Sequence, residues 1–316
     1  MKSLIRKMLV GDAEIREYAT VTIPGNIQEK VFLEVNGQLI NVSQQHWLLC
    51  IEPVIFGIWA EKEAHKAAIH HATTCKLYFY GDNKEHHTPA QGSSEAVLRF
   101  TRVQHLAETT GTLFLLKQES SQLHQLNALK RYVLFRRYYR KNGLHFRRFQ
   151  SFVAAYSYPR RIRVISFQQG GYYNIFPMDL LGDMSTGNRY VFGLRHTNIA
   201  LPKIIETGKL AVAEAPFEQK ETIYRLGAHH SSSPPALDTL PFKTIPSKDY
   251  GFPIPEWALS YREVRILKTI NMGSHMLLWG EPSPEQVLQP PTAHLYLIHF
   301  LHYLYQKSKQ GVYPLK

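Results

Sequence analysis

The chain has 316 residues, 44% of them hydrophobic and 20% charged, with 18 Tyr and 16 Phe. That length suits two ordinary domains or one large one, and the composition excludes global disorder and a coiled coil. Two cysteines exclude a disulfide scaffold, while a formal charge of +12 raises the question of an anionic partner.

The charge is local. Ser120 to Met178 contains no Asp or Glu and holds 11 basic residues: Lys130, Arg131, Arg136, Arg137, Arg140, Lys141, Arg147, Arg148, Arg160, Arg161 and Arg163. The remainder carries 26 basic against 25 acidic residues. The segment reads either as a solvated helix face or as a contact for phosphate, nucleic acid or a partner. Met1 to Val10 has no apolar run of signal-peptide length. The apolar window Trp47 to Ala60 is interrupted by Glu52 and Pro53 and is too short to span a bilayer. The expectation is a soluble, cytoplasmic protein.

In chain order, Val31 to Val42 predicts a hairpin about Asn36-Gly37. Trp47 to Trp59 follows as one or two buried strands, Glu61 to His71 as a helix and Cys75 to Tyr80 as a strand. Asp82 to Ser94 reads as a loop, and Ala96 to Val103 and Thr112 to Leu116 as strands. Gln122 to Lys141 predicts a long basic helix stopped by Asn142-Gly143. A boundary near residue 150 then separates a mixed, β-rich domain (1–150) from a second domain (151–316). The second opens with a strand over Ile162 to Phe167 and a turn at Gly170-Gly171. A strand over Tyr190 to Arg195 precedes a short helix begun by Pro202 and stopped by Gly208. Leu210 to Ala213 is a strand and Phe217 to Leu226 a helix with Gly227 at its end. Val264 to Ile270 turns through Gly273-Ser274 into His275 to Glu281, and His294 to Lys307 reads as a helix. This succession suggests an α+β protein whose second part is a small antiparallel barrel with helical insertions.

No dinucleotide-binding glycine fingerprint, phosphate-binding loop, nucleophile elbow or His-Glu-x-x-His pair is present. His65, His70, His71 and Cys75 do not place three ligands on one helix face, so no metal site is assigned. One constellation remains. Tyr158-Pro159, the strand Ile162 to Phe167 and Gly171 to Met178 form a first block. Leu194-Arg195-His196-Thr197 with Ile204 to Val212 form a second, and Gly273 to Glu281 a third. Together and in this order they resemble the flavin reductase-like, FMN-binding split-barrel family. Ser274 stands where that family usually has Asp, and Asp179 where many members have the Ser or Thr that meets the flavin phosphate. The resemblance does not extend to residues 1–150.

The resemblance implies an FMN-binding split β-barrel, a homodimer with flavin near the subunit interface, and NAD(P)H-dependent reduction of the flavin as cofactor or diffusible substrate. It places the flavin ring against Asn174, Ile175, Phe176, Pro177, Met178 and Asp179, and His275 near the flavin or nicotinamide. Arg195, Thr197 and Asn198, at a strand end before the Pro202 helix, have the chemistry a phosphate monoester needs. Each also has a plainer reading: a helix cap with a surface arginine, an ordinary turn, a structural strand histidine. His230 is a weaker pocket candidate. Two other functions stay open, a non-catalytic flavin-binding or sensor module and a nucleic-acid-associated protein using residues 130–163. Recurrent β-rich runs leave open a second, degenerate barrel over residues 1–120.

Overall fold

The computed structural model describes residues 18–23, 27, 29–81, 94–125, 127–140 and 145–308. The N-terminal decapeptide, residues 82–93 of the loop expected over Asp82 to Ser94 and the helix stop expected at Asn142-Gly143 lie outside them.

The fold is α+β, with antiparallel sheets and short helices. After β1 (Tyr18–Val21), a first sheet is built from β2 (Lys30–Val35), β3 (Gln38–Asn41), β4 (His46–Ile51), β5 (Val54–Ala60), β6 (Thr74–Tyr80), β7 (Ala96–Ala107) and β8 (Thr112–Leu123). Their spatial order is β3-β2-β6-β7-β8-β5-β4, and helix α1 (Glu63–His71) connects β5 to β6. Asn36 and Gly37 have φ of 50° and 81° and close the β2–β3 hairpin, as an Asn-Gly pair favours.

The long helix expected over Gln122 to Lys141 is shorter and starts later. Gln122 and Leu123 still belong to β8, paired with Val97 and Ala96. The Asn127 side chain accepts the Lys130 N–H at 2.8 Å, so α2 (Ala128–Leu134) begins there and runs into a π-helical turn, Phe135–Tyr139. Helix α3 (Phe146–Ala155) then lays Phe149 and Val153 into the first core.

The second sheet follows β9 (Arg160–Arg161). It contains β10 (Arg163–Gln169), β11 (Tyr172–Met178), β12 (Leu181–Met184), β13 (Arg189–Arg195), β14 (Lys209–Glu214), β17 (Ser260–Asn271) and β18 (His275–Pro282). The small pair β15 (Thr244–Pro246) and β16 (Pro253–Pro255) lies between β14 and β17 in sequence, and β19 (Gln286–Val287) adds to β17. The order is β11-β10-β14-β17-β18-β13-β12. Helix α4 (Leu201–Thr207), with Pro202 in its first turn, ends at Gly208 with φ 64°, the left-handed stop expected there. Gly227 behaves differently. After α5 (Lys220–Leu226) its φ is −57°, and the chain continues into a 3₁₀ turn over Gly227–His230. The helix expected over His294 to Lys307 is a strand and a helix, β20 (Tyr296–His299) and α6 (Phe300–Ser308). β20 pairs with β1 and β9, and Ile298, Phe300, Leu301 and Tyr303 enter the first core. No helix among the described residues is long and apolar enough to cross a membrane.

The two sheets have the same connectivity. Taking β2, β3, β4, β5, α1, β6, β7 and β8 in turn, each has its counterpart in β10, β11, β12, β13, α4, β14, β17 and β18, and the spatial order is reproduced strand for strand. The sheets meet through strands buried on both faces. In β5, Phe56 and Ile58 face the first core, while Ile55 and Trp59 face a separate cluster shared by both halves. In β8, Phe114 and Leu116 face inward and Leu113 and Leu115 outward. Val191, Leu277 and Trp279 complete the shared cluster from the other side. A two-residue period thus sorts each strand between its own core and the junction.

The approach is closest at Gly193, where an added Cβ would overlap the Leu49 carbonyl oxygen, a backbone atom with no freedom to retreat. Gly193→Ala is expected to destabilise the protein by more than about 3 kcal/mol. Gly171→Ala, where a Cβ meets nothing within 4 Å, changes stability by less than about 1 kcal/mol. Urea unfolding of both variants checks this, and equal midpoints would show that the sheets do not depend on this contact.

Candidate functional site

Arg195 ends β13 opposite His275, the first residue of β18. The chain then turns sharply: the Asn198 N–H donates to the Arg195 carbonyl (3.0 Å) and the His196 N–H to the Ser274 carbonyl (3.1 Å). Asn198 is buried; its Oδ1 accepts the Ala200 N–H at 2.8 Å, preparing the entry to α4. Ile199 N–H donates to the His230 carbonyl, which draws in the Gly227–His230 turn. That turn is also tied to β11, because Asn174 Nδ2 donates to the His229 carbonyl at 2.9 Å and the His229 ring binds the Ile175 carbonyl at 2.8 Å. Arg195, Asn198, His230, His275 and Asn174 therefore gather at one end of the second sheet. Two atoms there, Asn198 Nδ2 and Asn174 Oδ1, are buried with no hydrogen-bond partner among the described residues.

His275 is almost fully buried. Burial, reinforced by Arg195, His230 and His196, pushes its pKa down to about 3, so it is a neutral imidazole at neutral pH. Burial followed by Arg195 also lowers His230. The Ser274 hydroxyl lies 2.7 Å from His275 Nδ1 and accepts the Glu52 N–H at 3.1 Å. Cys50 Sγ is 3.6 Å from the same ring nitrogen, its thiol pKa raised by burial. Residues of the first half therefore hold the histidine of the second.

Asn174 to Met178 lie within strand β11, paired along one edge with β10, and the Gly227–His230 turn reaches the strand at Asn174 and Ile175. Ile175, Phe176 and Met178 put their side chains into the second core, Pro177 is half-buried and Thr197 exposed. Asp179 makes an ion pair with Arg160 at 3.0 Å, and the Arg160 guanidinium rests over the Tyr156 ring. Arg195 acts electrostatically on that same tyrosine.

Arg160 was legible only as one residue of the basic segment, and Glu214 and the 50–53 turn carried no signal. Behind Arg160, Glu214 is held by Arg163 at 2.6 Å and Arg161 at 2.9 Å. Burial opposes its ionisation, but the two arginines overcome this and keep the carboxyl below the ordinary range. A cavity of about 340 Å³ opens beside this network, between Ser43, His46 and Trp47 of the first half and Tyr158, Arg160, Arg163, Asp179 and Asp183 of the second. The basic segment is thus divided. Arg131 donates internally to the Leu123 carbonyl, Arg148 pairs with Glu52, and Arg160, Arg161 and Arg163 serve this network. Arg136, Arg137, Arg140 and Arg147 are exposed. Cys75 is buried in the first core while His70 and His71 are exposed; among the described residues no group of three or more His, Cys, Asp or Glu could hold a metal ion.

No family model matches the chain, and no curated protein does. Solved structures similar to it include FMN-binding proteins and flavin reductases. An FMN-binding protein from Thermus thermophilus, solved with p-hydroxybenzaldehyde, is 19% identical over 44% of this chain and 81% of its own, with a TM-score of 0.38. An NADH:FAD oxidoreductase of Streptomyces globisporus is 15% identical over 48% and 88%, with a TM-score of 0.42. The flavin reductase component of a bacterial two-component tryptophan halogenase is 13% identical over 46% and 91%, with a TM-score of 0.42.

The buried ionisable groups act in one direction on acidification. His275 and His299, with pKa values of about 3, and His46, at about 4, bind protons in the unfolded chain near its ordinary value of about 6.5 but not in the folded one. Their stabilisation is complete above pH 6.5 and is lost progressively below it. Glu214, depressed by its arginines, adds a loss as pH falls through the ordinary carboxylate range. The melting temperature is expected to fall steadily from pH 7 to pH 4, and a flat profile by differential scanning fluorimetry contradicts this. Glu214→Ala, which leaves Arg163 buried without its nearest counter-charge, is expected to cost about 3 kcal/mol in urea unfolding.

Proposed function

We propose that the chain is an FMN-binding flavoprotein of the flavin reductase-like type, its second half a split β-barrel with the flavin at the Arg195 end. The observation that carries this reading is the convergence there of Arg195, buried Asn198 with an unused Nδ2 donor, and buried Asn174 with an unused Oδ1 acceptor. These fit a ligand with a phosphate monoester at one end and a polar ring edge at the other. The phosphate needs a charge-assisted arginine contact and further N–H donors, and Arg195 with Asn198 would provide them. Thr197, exposed beside them, adds a hydroxyl. Asp179 does not oppose such an anion with a bare charge, because Arg160 neutralises it.

Bound there, a flavin supplies two-electron redox chemistry, and NADH or NADPH is the proposed reductant. The protein's own part is alignment and water exclusion rather than proton shuttling. His275, neutral and buried, would present an uncharged polar surface instead of a general acid. Asn174, locked to the His229 carbonyl and the Tyr172 hydroxyl, would orient the ring. Free, buried Cys50 and Cys75 suit the reducing cytoplasm.

The test is a visible spectrum after equilibration with FMN and desalting, followed by anaerobic titration with NADH and NADPH. Retained flavin bands and their bleaching by a nicotinamide are the expected result. Arg195→Ala is expected to weaken FMN binding at least about tenfold, the value of one charge-assisted contact. A colourless protein removes the reading. Retained flavin that neither nicotinamide bleaches leaves a non-catalytic flavin-binding module.

A further inference from the structure

The shared connectivity of the two sheets allows residue-by-residue comparison of their ends. Where Arg195 faces His275, the first sheet places Ala60 opposite Thr112. Where Asn174 lies two residues past the start of β11, Ile40 lies two past the start of β3. Five residues, His196 to Ala200, connect β13 to α4, but only two, Glu61 and Lys62, connect β5 to α1. The first half therefore keeps the framework and lacks the arginine, the histidine, both asparagines and the turn that carries one of them.

The halves also dock reciprocally. The β4–β5 turn of the first sits on the β17–β18 turn of the second: the Ser274 N–H donates to the Glu52 carbonyl at 2.7 Å, and a Cβ on Gly273 would lie 2.6 Å from that same oxygen. In the converse contact, the β12–β13 turn sits on the β7–β8 turn. A Cβ on Gly187 would lie 3.3 Å from Thr110 Oγ1, and Arg189 pairs with Glu108 at 3.2 Å. Each half thus uses the same pair of turns on the other, the arrangement of an isologous two-fold interface made within one chain.

We propose that residues 30–123 are a built-in second subunit: the protein works as a monomer and carries a single ligand end, on the second half, which the 50–53 turn of the first half completes by holding Ser274 and His275. This rests on the flavin reading for the nature of the ligand, but not for the pairing. It replaces the homodimer that the family resemblance implies.

Light scattering on the full chain over a hundredfold range of loading concentration, combined with FMN titration, tests it. Expected are a mass near 36.5 kDa throughout and one FMN per chain, with binding weakened at least tenfold by Arg195→Ala and less than twofold by Thr112→Ala. A dimer mass, two FMN per chain, or equal losses in the two variants overturns the proposal. If no FMN binds, the flavin reading falls while the pairing is still decided by mass, a monomer supporting it and a dimer overturning it.

Discussion

The structure depends on the burial of central strands on both faces. An antiparallel sheet commonly keeps one face for solvent, yet every residue of β5 is buried. Its even and odd positions belong to different apolar clusters, one inside its own half and one shared. With Trp59, Leu113, Val191, Leu277 and Trp279 at the junction, neither half can expose these strands without uncovering large apolar side chains. Gly193 and Gly182 permit the approach, since a Cβ at either would meet the Leu49 backbone or the Trp47 ring.

That junction determines the chemistry of the site. His275 is held neutral by burial, with Cys50 of the first half against its ring and Arg195, His230 and His196 of the second acting in the same direction. Ser274 links the two halves by accepting the Glu52 N–H while touching the His275 ring. The resemblance leads one to expect Asp at position 274. An ionised carboxylate there could only accept, whereas the serine hydroxyl can accept the Glu52 N–H and still donate. The arginines are divided on similar grounds. Arg161 and Arg163 are committed to half-buried Glu214, and Arg160 to Asp179 and Tyr156. Arg195 stays exposed at the end where a ligand would be met.

Much of the local geometry around the candidate site was legible residue by residue. Pro202 and Gly208 bound a helix because their backbone preferences are local, and Gly273-Ser274 makes a hairpin for the same reason. Arg195 and Asn198 stand out because a strand end followed by a helix start is an anion-favouring place in any fold. Glu214 was not legible, since its importance comes from lying opposite Arg163 across two strands, a register that neither strand's pattern contains. Cys50 and Glu52 belong to a different half, more than 220 residues from the histidine they support.

The sequence by itself determined the Asn36-Gly37 and Gly273-Ser274 hairpins, the Pro202 start and Gly208 stop of α4, the alternation of most strands and the order of the three blocks that carry the family resemblance. These depend on backbone preference and side-chain period, which act over a few residues. Only the tertiary structure decided that residues 296–299 form a strand, that helix α3 and the tail pack into the first core, and that the first half repeats the connectivity of the second. A strand such as β20 acquires its state from partners at residues 18–21 and 160–161, and two sheets with the same wiring need share no side chains. Connectivity is set by which apolar faces find each other, and local sequence does not carry that information.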